Sequence, residues 1–251
     1  MFSGLQMLIN FRSLQADYQL FRKGKESRHA VSDRISPTLL QYDYLALKTL
    51  STDIKSLIES LPESEEQRIA LDLGSDKSPY REFLSKKKFK VSTLDVDDGQ
   101  GAEYVGTAEG TRLCDNSFDL VLCTQVLEHC EDPFKGIREI QRILKPEGFA
   151  IISVPHVWFY HPHPSDHWRF TQEGVIKLCE TAGLVPLVLH AQGGTLLALF
   201  QILNFLVYGV MAKWGAPIYL ILNIAGVVLD KTIKNSLFCQ NFACLVQKAE
   251  N

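Results

Sequence analysis

The sequence lacks the features that mark secreted, zinc-ribbon and nucleic-acid-binding proteins. Its six cysteines form no C-x-x-C pair, so neither a disulfide framework nor a zinc motif is indicated. A formal net charge of −3 provides no basic surface for phosphate groups, which argues against a nucleic-acid partner. The first residues have no basic lead, and Gln6, Asn10 and Arg12 interrupt their apolar residues, so no secretory signal is expected. These absences favour a cytoplasmic protein with reduced thiols.

The chain also lacks a complete G-x-G-x-x-G loop, although the rest of a nucleoside-binding unit is there. An apolar run containing Asp72 is followed by Gly74 and a turn-rich segment, and Asp95 closes the next apolar run. Asp76 and Ser78 stand where further glycines would be expected. In such a unit the loop lets backbone N–H groups approach a ligand, and the second acid accepts hydrogen bonds from ribose hydroxyls. On these residues alone, an ordinary strand–loop–helix is the alternative.

Apolar periodicity predicts strands and helices that alternate from residue 69 onward. The predicted strands are 69–73, 89–95, 102–105, 118–124, 149–154, 184–190 and 242–247. This alternation predicts a doubly wound α/β sheet with the ligand at the carboxyl ends of its strands. We expect four segments along the chain. They are an N-terminal helical extension (1–66), the core (67–192), an apolar helical insertion (193–235) and the last strand of the core (236–251).

Several motifs follow one another in the order found in one enzyme family. They are Leu71-Asp-Leu-Gly74, Asn116 to His129, Asp132-Pro133, Arg142 to Gly148, Ser153-Val-Pro155 and Trp168 to Thr171. In this order the chain resembles the class I S-adenosylmethionine-dependent methyltransferases, and more narrowly the bacterial type 11 group. The resemblance implies a Rossmann-like, seven-stranded, mainly parallel sheet with an antiparallel last strand. It also implies S-adenosyl-L-methionine as cofactor. We expect O- or N-methylation of a small-molecule or lipid- or glycan-linked acceptor.

The resemblance also assigns a cofactor pocket. Its residues are Asp72, Gly74, Ser75 and Asp76 around the methionine portion, Asp95 at the ribose, Val96, Thr107 and Ala108 at the adenine, and Thr124 and Gln125 beside the sulfonium. Two of these residues depart from the family pattern. Asp76 replaces a glycine and adds a carboxylate near that of the cofactor, and Thr107 replaces an aspartate. A catalytically degenerate binding protein on the same fold is therefore the alternative function.

The best catalytic candidates lie in the loop from His156 to Arg169, which follows the fifth predicted strand. An imidazole titrates near neutral pH, so a histidine suits the role of general base. The candidate bases or acceptor ligands are His156, His161, His163, Asp166 and His167. Two alternatives are open: some of these side chains could bind a metal, which we do not expect, or Trp168 and Arg169 could anchor the loop, with Arg169 paired to a carboxylate.

Residues 194–229 are unusual because they carry almost no charge. Lys213 is the one charged residue between Ala191 and Leu229. Gln201, Asn204 and Tyr208 form a narrow polar stripe at helical spacing, which we expect to lie at lipid headgroups. The pattern favours a helical hairpin in the membrane interface, peripheral at the inner face of the membrane. A homodimer surface, a buried lid and a true membrane span are the alternatives.

Overall fold

The computed structural model describes residues 31–96, 101–162, 165–233 and 235–250. The seven strands are β1 (Arg68–Leu73), β2 (Phe89–Asp95), β3 (Tyr104–Val105), β4 (Phe118–Thr124), β5 (Leu144–Pro155), β6 (Leu184–Gln192) and β7 (Asn241–Lys248). Within the described residues, the helices are α1 (Val31–Ile35), α2 (Tyr44–Ser60), α3 (Arg81–Lys86), α4 (Pro133–Ile143), α5 (Gln172–Thr181), α6 (Thr195–Met211) and α7 (Ala216–Thr232). Short 3₁₀ turns cover Leu127–His129 and Ala212–Gly215.

All seven strands form one sheet in the order β3-β2-β1-β4-β5-β7-β6. Strands β1, β2, β3, β4 and β5 pair in parallel, whereas β7 lies antiparallel between β5 and β6. The predicted Rossmann-like sheet with an antiparallel last strand is therefore confirmed. Strand β5 begins five residues earlier than predicted, because the turn-like sequence Lys145–Gly148 pairs with β4 through a shift of register.

Helices cover both faces of the sheet, which explains the continuous apolar runs of the central strands. On one face, Ile137 and Ile140 of α4 and Val175 of α5 are buried against the sheet. On the other face, Ile54 of α2 and Leu84 of α3 fill the second core. Both helices on the first face have a capped N-terminus: the Asp132 carboxylate accepts hydrogen bonds from Phe134 N and Lys135 N, and the Thr171 hydroxyl accepts one from Gly174 N. Between these two layers of helices, the parallel strands β1 to β5 have their carboxyl ends at one edge of the sheet.

Helices α6 and α7 form an antiparallel hairpin between β6 and β7. By length and composition alone, the helical stretch Thr195–Thr232 could cross a membrane, but the turn Ala212–Gly215 divides it into two helices of 17 residues each. Asp230 near the end of α7 accepts hydrogen bonds from Gly194 N and Leu197 N, at 3.1 and 3.2 Å. This carboxylate therefore caps the first turn of α6 and fastens the two open ends of the hairpin.

The polar stripe of α6 lies inside the molecule, so its predicted placement at lipid headgroups is wrong. Gln201 is 1% exposed and Asn204 is fully buried, as is Asn223 of α7. Gln201 accepts a hydrogen bond from Ala46 N and donates one to the Tyr42 carbonyl, while Asn223 bonds the segment just before α2. These amides face inward because the backbone at the start of α2 needs partners there.

The outer surface of the hairpin is apolar instead. The exposed apolar side chains are Leu199, Ile202, Leu203, Leu206, Val210, Met211, Trp214, Ile218, Ile221, Ile224, Val228 and Leu229. Val210, which lies just before the turn of the hairpin, is 88% exposed, and Trp214, which lies in the turn, is 77% exposed. Residues 194–229 thus present a continuous apolar face that is larger than scattered surface hydrophobics would produce.

Candidate functional site at the carboxyl edge of the sheet

Asp72 lies where β1 ends and is buried beneath the loop that follows. Its carboxylate accepts a hydrogen bond of 2.6 Å from the Ser78 hydroxyl. Burial raises the pKa of Asp72 to about 7, and the hydrogen bond from Ser78 opposes that rise. Asp72 therefore lies beneath the loop and holds it against the end of β1 through the hydrogen bond from Ser78.

The loop itself presents backbone groups to the edge of the sheet. Gly74 has a φ of +70°, and a Cβ at this position would collide with the side chain of Val126. The N–H groups of Gly74 and Ser75 both donate to the Leu94 carbonyl, at 2.8 and 3.2 Å, which ties the loop to β2. The buried Ser75 hydroxyl has no hydrogen-bond partner among the residues that the structure describes. It is therefore available to a ligand.

Asp95 organises the other side of the same loop. Its two carboxylate oxygens accept hydrogen bonds of 2.7 Å from Asp76 N and Val96 N. A carboxylate has about four acceptor positions, so Asp95 retains capacity for ribose hydroxyls. Val96 is 55% exposed directly beyond it and offers an apolar surface at this edge.

The structure explains how Asp76 replaces a glycine. Asp76 adopts a φ of +44°, in the left-handed region that aspartate tolerates better than most residues. Its carboxylate lies 3.2 Å from the guanidinium of Arg34 in α1, so its charge is balanced. Sequence reasoning missed Arg34, because it lies 42 positions earlier in a segment without a motif. The balance removes the main electrostatic objection to a ligand carboxylate near Asp76.

The remaining predicted cofactor residues follow β3 and β4. Thr107 is exposed and Ala108 is buried beyond β3. Thr124 and Gln125 are partly buried where β4 ends. Gln125 donates from its backbone N–H and its side-chain amide to Ser153, at 2.9 and 3.2 Å, and so joins β4 to β5. All ten predicted positions therefore lie along one edge. Its acceptor carboxylate, unpartnered hydroxyl and apolar flank fit the ribose, polar tail and adenine of S-adenosylmethionine.

The predicted catalytic residues are spread around the loop after β5. His156 packs back on the core, with Nδ1 2.7 Å from the Phe170 carbonyl. His167 is exposed, and its backbone N–H donates to the Glu128 carbonyl at 2.8 Å. His161 is partly buried next to Asp166. The position predicted for His163 falls outside the described residues.

Asp166 is held as an ion-pair partner. Its side chain is 1% exposed and makes two hydrogen bonds with Arg169, at 2.5 and 2.8 Å. Burial alone would raise the pKa of Asp166, but hydrogen bonds from Arg169 and His161 outweigh it and hold the pKa well below its usual range. A carboxylate held ionised in this way is a weak base. The geometry favours the anchoring alternative for Asp166 and leaves His161 as the better proton acceptor.

Glu128 is a second residue that sequence reasoning did not assign to the site. It lies in the 3₁₀ turn after β4 and is fully buried. Burial raises the pKa of Glu128 to about 8. Its position within a common family motif gave no signal of this environment. A buried carboxyl therefore lies beside the histidine loop, at the same edge of the sheet.

Comparison with known proteins agrees with this edge. Residues 71–152 match the sequence model of a family described as a methyltransferase domain. This match covers about a third of the chain and supports the class I S-adenosylmethionine-dependent methyltransferase that the motifs predicted. The ubiquinone biosynthesis O-methyltransferase of Rickettsia felis is 24% identical over 142 residues, which are 51% of this chain and 54% of that protein. The chain spans about half, or less, of the length of the first curated relatives that it matches.

Solved structures share the methyltransferase fold at low sequence identity. The phosphoethanolamine N-methyltransferase 2 of Haemonchus contortus, in complex with S-adenosyl-L-methionine, has a TM-score of 0.54 at 15% identity, over 92% of this chain and 60% of that one. The [4+2]-cyclase SpnF has a TM-score of 0.54 at 16% identity, over 80% and 82%. At such identities the likeness concerns the fold alone, and the fold does not imply one reaction.

Proposed function

We propose that this chain transfers a methyl group from S-adenosylmethionine to an oxygen or nitrogen atom of a small-molecule or lipid- or glycan-linked acceptor. One observation carries the proposal: the loop at Gly74, the acid Asp95 and the histidine loop after β5 converge on one edge of the sheet. Methyl transfer from a sulfonium needs in-line alignment and, for a hydroxyl acceptor, removal of a proton. Cofactor positioning and a proton acceptor both belong to this edge.

Each group of the edge has a defined task in this proposal. Bound there, S-adenosylmethionine supplies an activated methyl group. Asp95 accepts hydrogen bonds from the ribose hydroxyls, and the loop around Gly74 and Ser75 binds the methionine portion. Arg34 balances the charge of Asp76, so the cofactor's own carboxylate meets less repulsion. His161 receives the proton of the acceptor.

The surroundings of the histidine loop favour an apolar acceptor. A shallow cavity of about 300 Å³ lies between this loop and α6, and its exposed lining is apolar. It is lined by Val157, Thr195, Ala198, Leu199, Ile202 and Phe238. Because Val157 directly follows His156, the cavity lies next to the proposed acceptor side. Small-molecule sites are lined mainly by apolar side chains, so the apolar lining of this cavity suits an apolar part of the acceptor.

The hairpin supports a peripheral position on a lipid surface. Its amides are turned inward, and its outer face, 194–229, is apolar and nearly uncharged. Two helices of 17 residues are each about 25 Å long, so they suit insertion along the interface better than a full crossing. Trp214 at the turn is an aromatic of the kind enriched at membrane interfaces. A lipid-linked acceptor would reach the adjacent cavity directly from such a surface.

Calorimetric titration with S-adenosylhomocysteine tests the cofactor site. Wild type should bind, and Asp95→Ala should weaken binding by about 1–3 kcal/mol, because ribose hydroxyls lose their acceptor. Asp115→Ala is the matched control, since Asp115 lies before β4, at the opposite edge, and pairs with Arg142. Absence of binding by folded wild type at millimolar ligand would reject the proposal. Binding without methyl transfer to any acceptor offered would favour the degenerate binding protein.

A further inference from the structure

Three ligand-type side chains meet beside the proposed acceptor side. Glu128 and His129 belong to the 3₁₀ turn after β4, and His161 belongs to the loop after β5. One potential ligand atom from each of the three lies within 4.8 Å of the others. The His129 Nε2 atom is 3.8 Å from the Glu128 Oε1 atom. The cluster differs from the alternative considered from sequence, which did not include Glu128 or His129.

The carboxyl group of Glu128 lacks partners. Its side chain is 0% exposed, and neither oxygen has a hydrogen-bond partner within the described part of the chain. Nearly all buried polar groups in proteins are hydrogen-bonded or bind an ion, because an unpartnered buried charge is costly. The neighbouring cation, Arg169, is engaged by Asp166. A bound cation would therefore satisfy a group that the protein itself leaves unsatisfied.

Both histidines are oriented by partners on the opposite side of the ring. The Nδ1 atom of His129 donates to the Ser165 carbonyl. The Nδ1 atom of His161 lies 3.1 Å from Asp166 Oδ2 and 3.1 Å from the Phe159 carbonyl. With Nδ1–H donated, each ring keeps a lone pair on Nε2. Metal-binding histidines almost always have this arrangement, in which the second nitrogen donates to a carbonyl or carboxylate.

We propose that Glu128, His129 and His161 form a divalent-cation site that fits Zn²⁺. Two imidazoles and one carboxylate form a ligand set of catalytic zinc sites, which keep a further position open. Zinc bonds of about 2.0–2.2 Å place tetrahedral ligands about 3.3–3.6 Å apart, so small side-chain rotations close the present cluster. The side chains of His129 and His161 are 18% and 21% exposed, which leaves the open position on the solvent side of the buried Glu128.

The open position suits an oxygen ligand. A zinc-bound water or hydroxyl loses its proton near neutral pH. If the methyltransferase function holds and the site is filled, the acceptor hydroxyl would bind there, release its proton to solvent and attack as an anion. This route would replace proton transfer to His161, because the Nε2 lone pair of His161 would then be a ligand. That role rests on the proposed function, whereas binding of the cation does not.

Cobalt titration of tag-free, chelator-treated full chain tests the site. Wild type should bind one equivalent of Co²⁺ with the visible absorption of a low-coordinate site, and Zn²⁺ should displace it. Glu128→Gln and, separately, His161→Ala should each weaken Co²⁺ binding by more than about 10-fold. His156→Ala is the matched control, because His156 lies in the same loop but bonds the Phe170 carbonyl, and it should bind like wild type.

Stability measurements guard against a variant that fails to fold. Zn²⁺ should raise the thermal midpoint of wild type and His156→Ala but not that of Glu128→Gln, which should fold at least as well without metal because the amide removes a buried acid. Folded wild type that takes up no Co²⁺ at 100-fold excess, or Glu128→Gln that binds it equally, overturns the site. Titration of metal-free protein with S-adenosylhomocysteine is independent, so loss of the metal proposal leaves the cofactor proposal standing.

Discussion

The sheet core and the α6–α7 hairpin are organised in opposite ways. In α4, Ile137 and Ile140 are fully buried against the sheet, as in most water-soluble proteins. In the hairpin, Asn204 and Asn223 are the fully buried residues, whereas Leu206 and Ile221 are 64% and 66% exposed. The Asn204 amide donates to the Asn223 side chain at 2.8 Å across the two helices. One region hides its apolar side chains from water, and the other hides its amides.

The difference shows two ways of attaching a helix. Helix α4 is held by apolar area removed from water, which is a non-directional driving force. The hairpin is held by directed hydrogen bonds: the Asn223 amide donates to the Leu39 and Gln41 carbonyls, both at 2.9 Å. Directed bonds between small polar groups are also what joins helices in lipid, where apolar burial gives no driving force. Inward amides and an apolar outer face are what the proposed contact of the hairpin with lipid would require.

The same substitution should cost much stability in the sheet core and almost none in the hairpin, and this is the largest effect that we expect. Ile140→Ala should lower the free energy of unfolding by about 2–5 kcal/mol, because it leaves a cavity under the sheet. Ile221→Ala should change it by less than about 0.5 kcal/mol, because that side chain already meets solvent. Urea unfolding of both variants measures the contrast. Equal losses would mean that the outer face of the hairpin is covered in solution.

Buried polar groups should also behave differently, because the buried amides of the hairpin do not titrate, whereas Asp72 at the sheet edge does. Burial raises the pKa of Asp72 to about 7 from an unfolded value near 3.8, so the folded state favours the protonated form. Its stabilising contribution is complete below pH 4 and is lost as pH rises to 7. Relative to Asp72→Asn, wild type should thus lose about 2–4 kcal/mol between these limits. A difference that is constant with pH would contradict the raised pKa.

Sequence patterns predicted the sheet because its signals are local. Apolar runs, the capping residues Asp132 and Thr171, and a terminal strand after the insertion required no knowledge of distant partners. Site residues could be predicted only where they belong to a recognisable sequence motif. The environment of Glu128 depends on the loop after β5, where His167 N, 39 positions away, bonds the Glu128 carbonyl, and the pairing of Asp76 depends on Arg34. Neither follows from residue spacing along the chain.

The hairpin shows why periodicity alone can mislead. The spacing of Gln201, Asn204 and Tyr208 correctly predicts that they share one face of a helix. Periodicity does not say whether that face points to the core or to the surroundings. The usual assumption that polar residues face outward gave the wrong side, since the bonding partners are backbone groups near Tyr42. Tyr208 stacks on that same Tyr42, with ring centroids 3.9 Å apart. Tertiary hydrogen bonds to the chain before α2 decided the orientation.

Removing an inward amide should weaken the hairpin although it adds an apolar side chain. Asn223→Leu leaves the Leu39 and Gln41 carbonyls and the Asn204 amide without their partner, so we expect a loss of about 1–3 kcal/mol. Ile224→Leu, at the next and 47% exposed position, is the control and should be neutral. Hydrogen exchange of α7 should accelerate in the first variant only. Unchanged protection in Asn223→Leu would show that the amides do not fasten the hairpin.

A polar substitution on the outer face of the hairpin should have the smallest effect on stability in water and a large effect on binding to lipid. Ile221→Asn places an amide on the outer face, where the native side chain is 66% exposed, so the free energy of unfolding in water should change by less than about 0.5 kcal/mol. On lipid the same change removes buried apolar area and inserts a polar group, so flotation with neutral and anionic liposomes should fall several-fold. Lys55→Asn, on α2 outside the apolar face of the hairpin, where Lys55 is 53% exposed, serves as the control and should float like wild type. Concentration-dependent sedimentation of the wild type separates the alternatives. Wild type that dimerises and ignores liposomes would assign the apolar face to a second copy. A monomer that ignores liposomes would reject both occupants, because an apolar face that prefers water to lipid has no energetic reason to meet a membrane.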